Sequence, residues 1–206
     1  MNKYFITGIG TDIGKTVVSA IVVEALKADY WKPVQAGELD YSDADKVREW
    51  ISNKTSKFFD GSYNLKTAMS PHAAAAIDGI TIAINLIKEP RTSNALVIEG
   101  AGGLLVPLNE ENTILDLIKN DYKIIVVSRH YLGSINHTLL TLNVLKHKGL
   151  KVDGIIFNGD AHKTTESIIE KFGEVPVIGR IAEEAVINRE IIKKYADQFK
   201  EKLKHL

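Results

Sequence analysis

A doubly wound α/β fold, with a mostly parallel sheet and helices on both faces, is what this chain predicts. Three observations lead to it. Short apolar runs alternate with segments of helical period along the whole chain. Several of those runs are continuously apolar, as strands covered on both faces are. Polar or glycine-rich residues also collect where four of the runs end, and open parallel sheets bind ligands at the carboxyl ends of their strands.

In chain order, Tyr4–Thr7 is the first apolar run and leads directly into glycines. Helical period follows over Lys15–Ala28. Tyr30–Val34 reads as the second strand and ends in Lys32-Pro33, and helical patterns fall near Ala44–Ser52 and Thr81–Lys88. Ala95–Ile98 is the third strand, closed by Glu99 and the glycines after it. A short helical pattern at Ile114–Lys119 precedes the run Ile124–Ser128. The longest internal helix is predicted over Ser134–Lys148, followed by strand Val152–Asn158, helix Thr164–Phe172, strand Val175–Ile178 and a charged terminal helix, Arg189–Lys204. The stretches Glu38–Asp45 and Ser52–Pro71 read as loops or irregular structure on the ligand side. With no repeat, low-complexity tract or linker, residues 1–206 read as a single domain.

Composition excludes several classes. Lys plus Arg and Asp plus Glu both number 26, so the net charge is zero, against a partner held by neutralising nucleic-acid phosphates. There is no cysteine, hence no disulfide and no thiolate metal site. No apolar run is long enough to span a bilayer, and the first strand begins too early to leave room for a signal peptide. The expectation is a cytosolic protein with neither a membrane nor a nucleic-acid partner.

The segment Thr7-Gly8-Ile9-Gly10-Thr11-Asp12-Ile13-Gly14-Lys15-Thr16 lies between the first strand and the helix that Val17 continues. A glycine-rich turn closed by Gly-Lys-Thr is the phosphate-cradling loop of nucleoside triphosphatases. Backbone N–H groups of the turn and helix start face anionic oxygens. Lys15 adds a point charge at the β- and γ-phosphates, and the Thr16 hydroxyl is placed for Mg²⁺. The glycine sits one residue earlier than the strict pattern demands, as Gly8 rather than position 9, where Ile9 stands.

The other strand ends supply further candidates. Glu99 precedes Gly100-Ala101-Gly102-Gly103; beside a phosphate loop, its carboxylate reads as a Mg²⁺ group rather than a turn cap. Lys32, held extended by Pro33, is either a second cation at the reacting centre or a surface lysine. Tyr41-Ser42-Asp43-Ala44-Asp45 puts two carboxylates at a helix start; Asp43 is either an N-cap or part of the magnesium shell, with Asp45 the alternative for that shell. Leu132-Gly133-Ser134-Ile135-Asn136-His137 opens the long helix; its N-terminus suits a substrate carboxylate, with Ser134 as the alternative plain N-cap. Asn158 either reads a purine edge through its amide or closes an Asn-Gly turn. His72 and His137 read as structural hydrogen-bonders.

Together these residues resemble the dethiobiotin synthetase family, whose phosphate loop has the same displaced glycine. The likeness continues through Lys32-Pro33-Val34, Ser70-Pro71-His72, Glu99-Gly100-Ala101-Gly102-Gly103-Leu104 and Leu132 to Thr141, reaching about Asn158. The resemblance implies a P-loop fold and a homodimeric enzyme that makes dethiobiotin from 7,8-diaminononanoate, CO₂ and MgATP. It implies a nucleotide site of Gly10, Thr11, Asp12, Ile13, Gly14, Lys15, Thr16 and Val17 with Glu99, Gly100, Ala101 and Gly102, and Asn158 at the adenine. Thr11, Lys15 and Lys32 would be catalytic, and Thr16, Asp43 and Glu99 would bind Mg²⁺. Lys32, Ala36, Leu132, Gly133, Ser134 and Asn136 would bind the diamine, partly from the partner subunit, with the substrate at the dimer interface.

Three features depart from that family. Ala36 stands where Ser or Thr is common, the loop from Gln35 to Asp43 is short, and Ala182-Glu183-Glu184 replaces a segment that often contains proline. The rival reading is a partition or septum-positioning switch ATPase, but the early loop lysine of those proteins is absent here. An amidotransferase-type synthase would need a nucleophilic cysteine, and the chain has none.

Overall fold

A computed structural model describes residues 1–206. Its strands are β1 (Lys3–Gly8), β2 (Asp29–Trp31), β3 (Val34–Ala36), β4 (Phe58–Phe59), β5 (Tyr63–Leu65), β6 (Leu96–Glu99), β7 (Tyr122–Arg129), β8 (Val152–Asn158) and β9 (Val177–Ile181). Its α-helices are α1 (Lys15–Leu26), α2 (Asp43–Trp50), α3 (Pro71–Ile77), α4 (Ser134–His147), α5 (Lys163–Gly173) and α6 (Arg189–Lys204). Seven strands form a wholly parallel sheet in the order β4-β2-β6-β1-β7-β8-β9, and β3 and β5 make a separate parallel pair.

Alternation along each central strand divides the core in two. Tyr4, Ile6, Val97, Ile125, Val127 and Ile156 face helices α1, α2 and α6, which contribute Val18, Ile21, Val22, Val47, Ile192 and Phe199. Phe5, Leu96, Ile98, Ile124 and Val126 face the other way, against Ala74 and Ala75 of α3 and Leu142 and Leu145 of α4. Ile155 and Phe157 meet Ile169 of α5. The predicted doubly wound layout is therefore present. No helix is long and apolar enough to cross a membrane.

Several expected elements differ. The run Tyr30–Val34 is not one strand: Pro33 has no N–H for the ladder, and the chain leaves the main sheet there to pair β3 with β5. Thr81–Lys88 is not an α-helix. It holds only a 3₁₀ turn at Ile84–Leu86, with Ile82 its one buried residue and the β-branched Thr81, Ile84 and Ile87 around it. Ile114–Lys119 is likewise a 3₁₀ helix over Ile114–Leu117. Ser52–Pro71 is less irregular than expected, since it carries β4 and β5, and Glu38–Asp45 contains a 3₁₀ turn at Leu39–Tyr41. The last strand lies later than Val175–Ile178, at Val177–Ile181. α3 has a plain signal, Pro71 at its first turn followed by four alanines, that went unused.

Glu89 ties the connection before β6 to the N-terminal end of the sheet. Its carboxylate meets Lys3 at 2.7 Å and also bonds Lys119 and the Tyr122 hydroxyl. Partial burial alone would raise this carboxyl, but the bonds from Lys119, Lys3 and Tyr122 outweigh it and bring its pKa down to about 2. A depressed acid stabilises the fold above its unfolded pKa, and that stabilisation is lost as pH falls through the folded value. Glu89→Gln should therefore lower Tm at pH 7 by about 2–4 °C. Thermal melts from pH 7 to pH 2 should show the two proteins converging toward the acid end.

Candidate active site

The carboxyl ends of β1, β2, β6 and β8 open onto a cleft of about 760 Å³. Of the residues singled out from the sequence, Thr11, Asp12, Gly14, Lys15, Thr16, Val17, Lys32, Ala36, Asp43, Glu99, Ala101, Gly102 and Asn158 all line it. Gly10, Ile13 and Gly100 do not. Gly100 N–H donates to the Ile6 carbonyl at 3.0 Å, Ile13 is buried, and Gly10 offers its carbonyl to Lys15. Leu132, Gly133, Ser134 and Asn136 lie away from the cleft of their own chain.

The phosphate loop is shaped by the core beneath it. A Cβ on Gly8 would fall 2.1 Å from Ile13 Cδ1, so the displaced glycine is the space into which the Ile13 side chain folds back. Asp12 (φ 55°) and Gly14 (φ 94°) are both left-handed. Gly14 is the N-cap of α1 and brings no side-chain cap, which leaves the helix-start N–H groups for a ligand. Lys15 folds back over the loop and donates to the Gly10 carbonyl at 2.7 Å. Burial brings its ammonium pKa down to about 8; Glu99 opposes the shift and Lys32 adds to it. The glycine loop after β6 packs against this cradle, with the Cβ position of Gly103 3.5 Å from Gly10 Cα.

Glu99 is fully buried at the end of β6. Its Oε1 accepts from Thr16 Oγ1 at 2.9 Å and Lys32 Nζ at 3.2 Å; its Oε2 accepts from Tyr30 OH at 3.0 Å. Lys32 Nζ also bonds Asp43 Oδ2, so one ammonium bridges two carboxylates. Burial works against that ammonium, but Glu99 and Asp43 outweigh it and hold the Lys32 pKa above its ordinary value. Asp43 is itself held low: burial would raise it, and Lys32 and then Lys46 bring it down.

Two capping roles that the sequence allows are absent here. Asp43 is not the N-cap of α2. Ser42 is, in a capping box with Asp45, which frees the Asp43 carboxylate for Lys32 and Lys46. Ser134 is not the N-cap of α4. Gly133 (φ 103°) takes that place without a side-chain cap, and Ser134 is the first, buried helical residue. Asn158 Nδ2 donates to the Ile13 carbonyl at 2.9 Å, so this side chain braces the loop as well as lining the cleft. Other cleft residues escaped the sequence reading. Lys46, Trp50, Arg129 and Ile187 belong to no motif, and Glu183 and Glu184 lie where the chain departs from the family pattern. Arg129 holds Glu183 through one nitrogen, at 2.9 and 3.2 Å.

A parallel sheet with helices on both faces, a glycine loop leading into α1, a Lys-Thr pair and a facing buried acid define a P-loop ATPase. Solved structures agree on the fold. The septum site-determining protein MinD complexed with Mg-ADP from Pyrococcus horikoshii matches with TM-score 0.60 at 16% identity, covering 98% of this chain and 93% of that one. A ParA family ATPase from Chlorobium tepidum matches at 0.55 with 11% identity, covering 98% and 96%. At such identities the likeness concerns the fold alone. Residues 2–190 match a family model described as an AAA domain. The ATP-dependent dethiobiotin synthetase BioD of Christiangramia forsetii is 60% identical over 98% of this chain and 97% of its own. The proteins of that name from Cytophaga hutchinsonii and Chlamydia pneumoniae are 48% and 39% identical, covering 95% and 98% of this chain and 96% and 90% of theirs. The chain belongs to the ATP-dependent dethiobiotin synthetase family, and it is an ATP-dependent ligase that closes a ring by forming C–N bonds.

Gly14 tests the cradle. Any side chain there meets left-handed strain, and a Cβ would lie 2.3 Å from Asn158 Nδ2. Gly14→Ala should weaken ATP binding by about tenfold, the scale of forcing one residue left-handed. Adding Asn158→Ala should not restore the affinity, because it relieves the contact but leaves the strain and removes a cleft side chain that braces the loop at Ile13. Isothermal titration of the two variants reads both effects.

Proposed function

We propose that this chain closes the ureido ring of dethiobiotin from 7,8-diaminononanoate, CO₂ and MgATP, acting as one domain over residues 1–206. One substrate amine adds to CO₂ and loses a proton, giving a carbamate. A carbamate oxygen displaces ADP from the γ-phosphorus, giving a carbamic-phosphoric anhydride. The second amine then attacks the carbonyl carbon, phosphate leaves and the ring is closed. The observation that carries this reading is the pair Lys15 and Lys32 in one cleft beside the uncapped start of α1. Carbamate and γ-phosphate are both anions, and two cations with a helix N-terminus offset their repulsion.

Thr16, Asp43 and Glu99 would hold Mg²⁺. They are hard oxygen donors: Thr16 bonds Glu99, and Glu99 and Asp43 share the Lys32 ammonium. No group of three His, Cys, Asp or Glu side chains gathers anywhere in the chain. That suits a magnesium ion, which takes few protein ligands and keeps water and phosphate oxygens. When bound, the ion supplies charge neutralisation at the β- and γ-oxygens. Lys32, held charged by its carboxylates, is set to face the carbamate. Thr11 would contact phosphate, and Gly10, Asp12, Ile13 and Val17, with Gly100, Ala101 and Gly102, would shape the nucleotide site. Asn158 would meet the adenine.

Leu132, Gly133, Ser134 and Asn136 serve the substrate of a neighbouring subunit in this reading, with Lys32 and Ala36 from the chain that holds the nucleotide. Two facts support it. The α4 start has no side-chain cap, which suits the tail carboxylate of the diamine. Leu132 is fully exposed, and Tyr131, Ile135 and Leu140 are exposed beside it in sequence, an apolar surface of the kind a second subunit covers.

Since the phosphoryl acceptor is the substrate carbamate, phosphate release from MgATP should be slow alone and rise sharply only with both diamine and bicarbonate. Equal release without them would favour the switch-ATPase reading. The shared site has its own test. Asn136→Glu should raise KM for the diamine and leave KM for ATP near its original value. Mixed with Lys15→Ala, it should regain activity, because one site of the heterodimer receives two intact halves. Heterodimers without recovery would remove the shared site and leave the synthetase standing.

A further inference from the structure

We propose that Tyr30 is a positioning residue for Glu99: its buried phenol pins one carboxylate oxygen and so keeps the other turned toward Thr16 and the magnesium ion. This rests on the assignment of Glu99 to magnesium made above. The phenol belongs to no loop motif and lies on the core side of the strand, where it would pass as packing.

The geometry begins with strand register. Tyr30 of β2 pairs with Val97 of β6, and Val97 shares its face with Glu99, two residues on. Tyr30 and Glu99 are therefore diagonal neighbours across adjacent strands, a separation that a long aromatic side chain spans. The Tyr30 ring is fully buried and packs on Phe58, ring centroids 5.6 Å apart. Its hydroxyl is fixed by that packing and reaches Glu99 Oε2 at 3.0 Å. No other donor reaches this oxygen, whereas Oε1 takes both Thr16 and Lys32.

The carboxylate needs such a partner. The terminal torsion of a glutamate is broad, so packing alone does not choose which oxygen faces the cleft. A buried carboxylate oxygen left without a donor is also costly. The phenol answers both needs. Its O–H is a donor, and the Glu99 oxygen it reaches at 3.0 Å accepts. Residues that orient a metal-binding carboxylate in this way typically change metal affinity by about 10–100-fold when removed.

Tyr30→Phe keeps the ring and its packing and removes only the oxygen. The readout is ADP affinity by isothermal titration, with Mg²⁺ and in EDTA; the ratio of the two is the magnesium increment. The variant should bind ADP in EDTA as the parent does, and its increment should fall about tenfold. An increment within twofold of the parent, whatever the change in Tm, makes Tyr30 a packing residue and overturns the proposal. Glu99→Gln separates this failure from failure of the underlying assignment. If Glu99→Gln also keeps the parent increment, Glu99 does not serve magnesium, and both readings fall. If Glu99→Gln loses the increment and Tyr30→Phe does not, only the positioning role falls. The double variant should lose no more than Glu99→Gln alone, because the phenol acts through that carboxylate.

Discussion

The ammonium of Lys32, lodged between Asp43 and Glu99, is the interaction around which the active end of the sheet is arranged. It joins the end of β2, the first turn of α2 and the end of β6 at a single charge. Buried ions of one sign repel and are costly to desolvate, so each of the two carboxylates depends on the cation between them. Much of the local structure follows. Asp43 gives up capping α2, and Ser42 with Asp45 takes that task. Lys46 closes the outer side of Asp43, and Thr16 brings the phosphate loop onto the inner side of Glu99. Pro33, just after the lysine, turns the chain out of the main sheet, so the cation stands at a strand end rather than within a strand.

The sheet and the phosphate loop were legible because their signals are local. Strands buried on both faces must be apolar throughout, and a cradle for phosphate must be glycine-rich before a helix. Residues 52–94 were hard to read for a physical reason. Over Thr81–Lys88 the apolar spacing mimics helical period, yet Ile82 is the one residue there that is buried, and the segment folds only into a 3₁₀ turn. The rest of the cleft was hard for another reason. Lys46 and Trp50 on α2, Arg129 at the end of β7 and Ile187 before α6 converge from three separate parts of the chain, and only the tertiary structure brings them near the phosphate loop. Tyr30 shows the same limit within a predicted strand: its partner is set by the register of β2 on β6, which no single strand reveals.

Apart from α3, which opens on Ser70 and Pro71 with no side-chain cap, the helix starts divide in an informative way. α2, α5 and α6 are capped by the side chains of Ser42, His162 and Asn188. α1 and α4 each begin on a left-handed glycine that brings no side chain to the N–H groups. These are the two helices whose N-termini the proposed chemistry gives to anions, phosphate at one and a substrate carboxylate at the other. Reading Ser134 as a cap was reasonable from composition, yet Gly133 before it is the residue that decides the geometry.

The packing of Ile13 into the space above Gly8 reaches beyond the loop itself. A loop anchored in the hydrophobic core through Ile13 has less ordering entropy to lose on binding than a loop held only at its ends. The same rigidity removes a means of discrimination. A loop that does not close around its ligand cannot use nucleotide binding energy to assemble the catalytic groups, which is how induced-fit enzymes tell productive encounters from idle ones. In the proposed reaction, restraint against wasteful hydrolysis would come from the acceptor and not from the cradle. A molecular switch needs the opposite arrangement, a nucleotide pocket whose conformation reports the number of phosphates it holds.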